Sequence, residues 1–445
     1  MVENERIRIL GTDHINNKGK YIVYFVQTAP RVKYNQALNF ATEQANVLNL
    51  PLVCYFELSI NFPSVNNRNI TFLLQGLSDF EKNLKNLGIK LVIGNSDNTN
   101  KILSNSNQVI TDRGYLKFHK SREEYLKKLN LKVTSIETNV IVPVETASNK
   151  QEYSAFLFRK KIEPLVSKYL VVKKQLKPKL NSLNLTFESI DILNIKNVLN
   201  FYKVDNSVLP IKLTGGEAEA EKHLKLFITD NLKNYEEFRN DPTLNFQSNL
   251  SPYLHFGHIS PIKIALECLK ENDKDNKNIQ SFFNELVIWR ELAKNFCFYN
   301  NNYDNFEGLP NWAKENLNKH NKDNREFIYT KKQFEEAKTH DKYWNAAQNQ
   351  ILTSGKIHGY MRMYWGKKVI EWTKTPQQAY EILVYLNDKY SIDGRDENGY
   401  AGIGWCFGLH DRPHFKHKVL GNIRYMAESG LKKKFDAEKY VQQNP

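Results

Sequence analysis

Five short apolar runs confine the first 136 residues to one kind of architecture. YIVYFV (21–26), LVCYFEL (52–58), KLVIG (90–94), QVITD (108–112) and KVTSI (132–136) are rich in β-branched and aromatic residues. Each is bounded by polar breaks and too short for a buried helix, so each reads as a strand. Helical stretches over about 33–49 and 69–87 separate the first three, the second ending at Gly88 as a C-terminal cap. Strands alternating with helices predict a parallel, Rossmann-like sheet with helices on both faces. Such a sheet offers a planar ligand the crevice beyond its strand C-termini. No G-x-G-x-x-G opens a helix after the first run, so a dinucleotide site is not supported there.

From Gly215 the pattern changes. In GGEAEAEKHLKLFI, Ala, Leu and Phe recur every three or four residues, and strand-like runs nearly vanish from there on. The expectation is an α/β N-terminal domain over 1–170, a connector over 171–212 containing Pro178 and Pro210, and an all-α domain over 213–445. A chain of 445 residues, 41% hydrophobic, can bury cores for two or three domains. Its net charge of +14 favours a polyanionic partner, nucleic acid or an anionic membrane surface. The plainer alternative is lysine that only maintains solubility. No run approaches the roughly 18 apolar residues of a membrane span, and residues 1–20 lack the apolar core of a signal peptide. Cys54, Cys268, Cys297 and Cys406 are scattered without C-x-x-C spacing. They support neither a metal site nor a redox motif and suit a reducing, cytoplasmic setting.

Chemistry concentrates in residues 340–412. Trp344, Trp365, Trp372 and Trp405, four of the chain's six tryptophans, fall there, with Arg362 and Asp393, two charges that need each other if buried. Trp365 and Trp372 are seven apart, on one face of a single helix, which by itself is an ordinary aromatic core. Trp344, on a second helix ending near Ile351, can come alongside. Upstream, Ser251 and Pro252 read as a helix start, with Ser251 as the cap and free N–H groups able to receive a phosphate. Glu285 and Trp289 stand at i and i+4, on one helical face.

The strings K-x-H-G-Y-M-R-M-Y-W-G-K-K (356–368), L-N-D-K-Y (386–390), D-G-R-D-x-N-G-Y (393–400) and G-W-C-F-G-x-H-D-R-P (404–413) occur in this order. Together they resemble the flavin half of the class II cyclobutane pyrimidine dimer photolyases, in the photolyase/cryptochrome family. The resemblance extends upstream through 205–300 and, more weakly, into the first domain. It implies FAD, reduced and anionic in the working state, touched by Tyr235, Ser248, Leu250 and Ser251. The Arg362–Asp393 pair and the loop of Arg395 would lie beside the isoalloxazine, with Asn387 near its N5. Glu285 would hydrogen-bond the dimer bases between walls made by Trp289 and Trp405, with Met363 under the lesion. That role asks for a protonated carboxyl able to donate where negative charge develops. Trp365, Trp344 and Trp372, in that order, would relay electrons to restore the reduced cofactor. The lesion must leave the duplex to reach a flavin. Arg412, Lys416 and Lys418 would then meet phosphates, with Arg412 filling the vacated space and Arg239 near the strand.

The implied enzyme is a deoxyribodipyrimidine photo-lyase acting on UV-damaged DNA, as a monomer and without net redox change. The family also implies an antenna chromophore such as 8-hydroxy-5-deazaflavin in the first domain. Two other classes stay open: a cryptochrome-like photoreceptor without repair, and a light-independent nucleic-acid-binding protein that kept the fold. A (6-4) photoproduct specialist fits less well, since no histidine pair falls among the pocket residues.

Overall fold

The computed structural model describes residues 2–271 and 276–445. By packing, the chain forms two compact units: Met1–Ala147 with Leu165–Leu226 and Asn249–Asn272, and Ser148–Pro164 with Phe227–Ser248 and Asp273–Pro445.

The first unit is built on a six-stranded sheet: β1 (Ile7–Gly11), β2 (Ile22–Val26), β3 (Leu52–Glu57), β4 (Lys90–Gly94), β5 (Val109–Asp112) and β6 (Lys132–Ile136), in the order β1-β6-β5-β2-β3-β4. All neighbours are parallel except β1, which pairs antiparallel with β6. The five expected strands are present. The sixth, IRILG, is an edge strand that Arg8 within it and Arg6 beside it conceal in the sequence, and Ile9 on it is half-exposed. Helices α1 (Gln36–Leu48), α2 (Asn67–Asn86), α3 (Ser96–Ser104) and α4 (Lys117–Lys127) connect the strands. Asn66 closes a capping box on α2, and Gly88, at φ +76°, follows the Leu87 cap.

Successive strand side chains fall on opposite faces, and both faces are covered. Ile22, Tyr24, Val26, Cys54 and Ile93 pack with Leu38, Ala41, Leu74 and Phe80 of α1 and α2. Val23, Phe25, Val53, Tyr55 and Val92 pack with Ile102 and Leu103 of α3 and Leu126 of α4. The strand order reverses between β2 and β5, and their carboxyl ends are laced together there. Asp112 accepts from Tyr24 Oη at 2.9 Å and from the Gln27 N–H at 2.8 Å.

Residues 249–272 join this unit through a close backbone approach. A Cβ on Gly257, at φ +72°, would fall 1.8 Å from the Thr28 carbonyl oxygen, and Arg31 Nη1 donates to the Gly257 carbonyl at 2.9 Å. Gly257→Ala is expected to cost about 2–4 kcal/mol, through left-handed strain plus displacement of backbone. A lower denaturant midpoint checks this, and an unchanged one would show that the approach does not constrain the fold.

In the second unit, α5 (residues 277–299) is one helical run interrupted by a π-helical turn at Asn284–Trp289. It is followed by α6 (Lys342–Ser354), α7 (Gly359–Glu371), α8 (Pro376–Tyr390) and α9 (Glu397–Cys406). Asp341, His358, Thr375 and Asp396 cap the last four through their side chains. α7 is the hub, packed against α6, α8 and α9. No described helix is long and apolar enough to cross a membrane.

Three histidines have buried Nε2 atoms without a hydrogen-bond partner: His258 in the first unit, and His358 and the half-buried His410 in the second. Burial pushes them down to about 3, about 4 and about 4 respectively. The unfolded chain takes up these protons near pH 6.5, whereas the folded chain does so only below about 4. Stability is therefore expected to fall as pH drops through 6.5, by about 2 kcal/mol per histidine near pH 5. Thermal midpoints at neutral pH and near pH 5 test this. Equal midpoints would mean that the folded state holds these histidines protonated.

Candidate functional site

One face of α7 gathers a set of polar groups. Arg362 Nη1 donates to Asn387 Oδ1 at 2.7 Å, and its Nη2 stands 3.9 Å from Asp393 Oδ1. That separation is within ion-pair range but too long for a hydrogen bond. Asp393 Oδ1 and the nearby Ser391 Oγ are buried without a hydrogen-bond partner. Lys356 completes the charge set. Burial pulls it down to about 8 against the attraction of Asp393, with Arg362 adding to the drop.

Asn387 is fixed from two sides, since its Nδ2 donates to Asp388 Oδ1 at 3.1 Å. It also needs Gly399, where a Cβ would come within 3.0 Å of that Nδ2. Asp388 anchors the 393–396 loop. It accepts from the Arg395 N–H at 2.8 Å and from Tyr400 Oη at 3.1 Å, and Arg395 Nη1 donates to the Asp388 carbonyl at 2.7 Å. Burial raises the Asp388 carboxyl, with Arg395 opposing, and burial lowers the Arg395 guanidinium. Arg395 thus holds its own loop, at φ +58°. Asp388 and Lys356 were not picked out from sequence, although Asp388 lies within L-N-D-K-Y.

The same helix, α7, also carries the aromatic series. The Trp365 and Trp344 rings stack with centroids 6.4 Å apart and planes 8° from parallel. Trp344 and Trp372 are also 6.4 Å apart, at 65°. Trp344 Nε1 donates to the Trp365 carbonyl at 3.0 Å, and Trp365 Nε1 to Gln348 Oε1 at 2.9 Å. All three rings are buried. Trp344 lies between the other two, and Trp372 sits just past the end of α7 as its C-cap.

Glu285 and Trp289 lie on the π-helical turn of α5 and are both half-buried. A π turn shifts the angular spacing away from the α-helical value assumed for an i, i+4 pair, and such turns recur at functional sites. Glu285 is ion-paired: Arg239 Nη1 lies 2.9 Å from its Oε1, and the Asn284 amide reaches it at 3.5 Å. The carboxyl therefore faces a guanidinium, where the sequence called for a neutral acid against an apolar wall. Burial lowers the Arg239 guanidinium, but Glu285 and Tyr235 together outweigh it and raise it. Arg239 also stands over Tyr235, whose phenol burial pushes up to about 12.

Met363 and Trp405 are half-buried. Trp405 lies near Lys367 and Arg424. Arg412, Lys416 and Lys418 are exposed on the loop that follows α9. That loop is tied down where His414 N–H donates to the Asn422 carbonyl at 2.8 Å and Val419 N–H to Asp323 Oδ2 at 3.0 Å.

In the first unit, Ser251 opens the short Ser251–His255 helix, but as its first residue rather than its cap. Leu250 takes the cap position, and the buried Ser251 hydroxyl has no hydrogen-bond partner. Ser248 belongs to the second unit and is half-buried.

Each unit thus carries unpaired polar atoms of its own. Asp393 Oδ1 and Ser391 Oγ seek donors or acceptors beside the Arg362 cation, which is the chemistry of an isoalloxazine rim, and the Ser251 hydroxyl suits a phosphate oxygen.

Comparison with known proteins identifies the family. Residues 22–179 match the family DNA photolyase. A deoxyribodipyrimidine photo-lyase of Methanothermobacter thermautotrophicus is 41% identical over 445 residues, covering 99% of this chain and 98% of its own. One of Potorous tridactylus is 35% identical, covering 98% of this chain and 84% of its own. Among solved structures, the cryptochrome of Synechocystis sp. superposes with a TM-score of 0.73 at 16% identity, covering 97% of this chain and 89% of its own.

Proposed function

The chain belongs to the DNA photolyase family, and from that membership we propose that it is a class II enzyme repairing cyclobutane pyrimidine dimers in DNA under near-UV or blue light. The observation that carries this reading is the double role of α7, on which Arg362 reaches toward Asn387 and Asp393 while Trp365, three residues on, begins the aromatic series. Bound and reduced FAD supplies, on excitation, one electron that opens the cyclobutane ring and then returns, so there is no net redox change.

This chain's residues do the rest. Arg362, held by Asn387, offers a fixed cation that would favour an anionic reduced ring, and the unpartnered Asp393 carboxylate would accept from a donor on the bound group. Tyr235, Ser248, Leu250 and Ser251 hold the remainder of the cofactor. Glu285 meets the dimer bases, with Trp289, Trp405 and Met363 as the apolar surfaces of the pocket. Arg412, Lys416 and Lys418 contact phosphates on either side of the flipped lesion. Trp365, Trp344 and Trp372 bring in electrons that restore the reduced cofactor. A deazaflavin antenna such as 8-hydroxy-5-deazaflavin is a separate proposal resting on the resemblance and tested by the absorption of the purified protein.

The fold is shared with a cryptochrome, so a photoreceptor without repair is the competing reading. An oligonucleotide carrying one thymine dimer, incubated with chemically reduced protein in light and in darkness, separates the two. Intact thymines regained only in the light are expected. No repair by protein that holds reducible flavin would refute the enzyme reading and leave Glu285 and Trp289 as structural residues.

A further inference from the structure

Trp405 has two cations at its ring that the proposed repair chemistry does not use. Lys367, on the second half of α7, is only 1% exposed. Its ammonium donates to the Cys406 carbonyl at 2.7 Å and lies 5.0 Å from the Trp405 ring centroid. The Arg424 guanidinium stands 5.8 Å from the same ring. The arrangement follows from a glycine: a Cβ on residue 366 would fall 2.6 Å from Cys406 Sγ, so α9 can pack tightly on α7 only because Gly366 has none.

Burying an ammonium is costly unless an anion compensates it. Among the described residues no carboxylate lies within ion-pair distance of Lys367, although Asp411 attracts it from farther off. A methionine would fill the same space without that cost. Burial brings Lys367 down to about 8, so the ammonium form still predominates at neutral pH.

The other tryptophans of this region are placed differently. Trp344 and Trp365 face each other, Phe334 and the neutral Gln348. Lys368 lies 5.6 Å from the Trp372 ring, but its charge is matched by Glu371 Oε2 at 2.7 Å. A cation with no direct ion-pair partner against an indole stabilises the neutral ring through its quadrupole and opposes formation of the radical cation.

We propose that Lys367 is a positioning residue for Trp405, holding a charge with no direct ion-pair partner at its ring so that Trp405 stays an inert wall of the substrate pocket and takes no part in the oxidations served by Trp365, Trp344 and Trp372. This rests on the reading of Trp405 as a pocket wall. Loss of one electron from Trp405 would leave a radical cation in the pocket, and the charge of Lys367 disfavours that loss.

The test exposes wild-type protein and Lys367→Met to azide radical generated in solution as a one-electron oxidant, and maps oxidised tryptophans by mass spectrometry. Trp289, half-buried like Trp405 but without such a cation, is the internal reference. In the wild type, oxidation of Trp405 is expected to lag that of Trp289 by about tenfold, and in Lys367→Met the two should converge. Equal oxidation in the wild type, or an unchanged ratio in the variant, overturns the proposal. If Lys367→Met does not fold, Arg424→Met, on an exposed side chain, should move the ratio in the same direction, and no movement there overturns it too. The measurement needs neither flavin nor DNA. A protein that failed to repair dimers would refute the function while leaving this ratio to stand or fall separately.

Discussion

Replacing Trp365 with phenylalanine is expected to abolish light-driven reduction of the bound flavin while leaving dimer repair by chemically reduced protein at the wild-type rate. Trp365 stands on α7 three residues beyond Arg362, and its ring lies parallel to that of Trp344 at 6.4 Å. From there the next step, to Trp372, is again 6.4 Å. Phenylalanine keeps an aromatic body in the same buried slot but has no indole to oxidise, so the series loses its first member while α6 and α7 stay packed. The substitution also leaves Gln348 Oε1 without its donor, at a cost of about 1–3 kcal/mol. A melting curve should accompany the kinetics, so that lost stability is not mistaken for lost electron flow. The readout is flavin reduction under illumination with an external thiol, set against repair after chemical reduction in the dark. Unchanged photoreduction would remove Trp365 from the relay. Loss of both activities in a folded variant would make it a flavin-binding residue instead.

The strands were legible because both faces of the sheet are covered, which leaves runs such as IVYFV unbroken by polar residues. β1 escaped because an edge strand with Arg6 beside it and Arg8 within it carries no such run. Its place is set by long-range contacts, including Arg6 Nη1 on the Glu137 and Val140 carbonyls. A seven-residue spacing related Trp365 to Trp372, but only tertiary packing puts Trp344 between them. Ser251 read as a cap because Ser-Pro is a common helix start, and the structure frees its hydroxyl by moving the cap to Leu250. Asp388, Lys356 and Lys367 went unnoticed for one shared reason. In a chain with 25% charged residues, a lone Asp or Lys reads as surface, and nothing local announces that it is buried. The pairing of Glu285 with Arg239 is similar, since the partner lies on another element and the periodicity around Glu285 does not distinguish a π turn from an α-helix.

That pairing sharpens the expectation for Glu285→Ala. The variant is expected to lower repair about ten- to a hundredfold, the equivalent of one lost charge-assisted hydrogen bond of about 1.5–3 kcal/mol, with flavin content unchanged. Arg239 bears on how that loss is divided. With Glu285 gone, its guanidinium keeps the Tyr235 ring beside it but loses its carboxylate, and becomes an unpaired cation at the pocket edge. An unpaired cation strengthens binding of any DNA through its phosphates while doing nothing for the dimer bases. Binding of undamaged DNA should therefore hold or rise as repair per bound dimer falls. Glu285→Gln keeps the hydrogen-bonding shape without the charge. It should recover much of the repair if the bases need a donor from this position, and little if the Arg239 pair is what positions the pocket. Repair at wild-type yield in Glu285→Ala would remove Glu285 from substrate recognition. A parallel loss of undamaged-DNA binding would show that the ion pair holds the local structure and does not read the lesion.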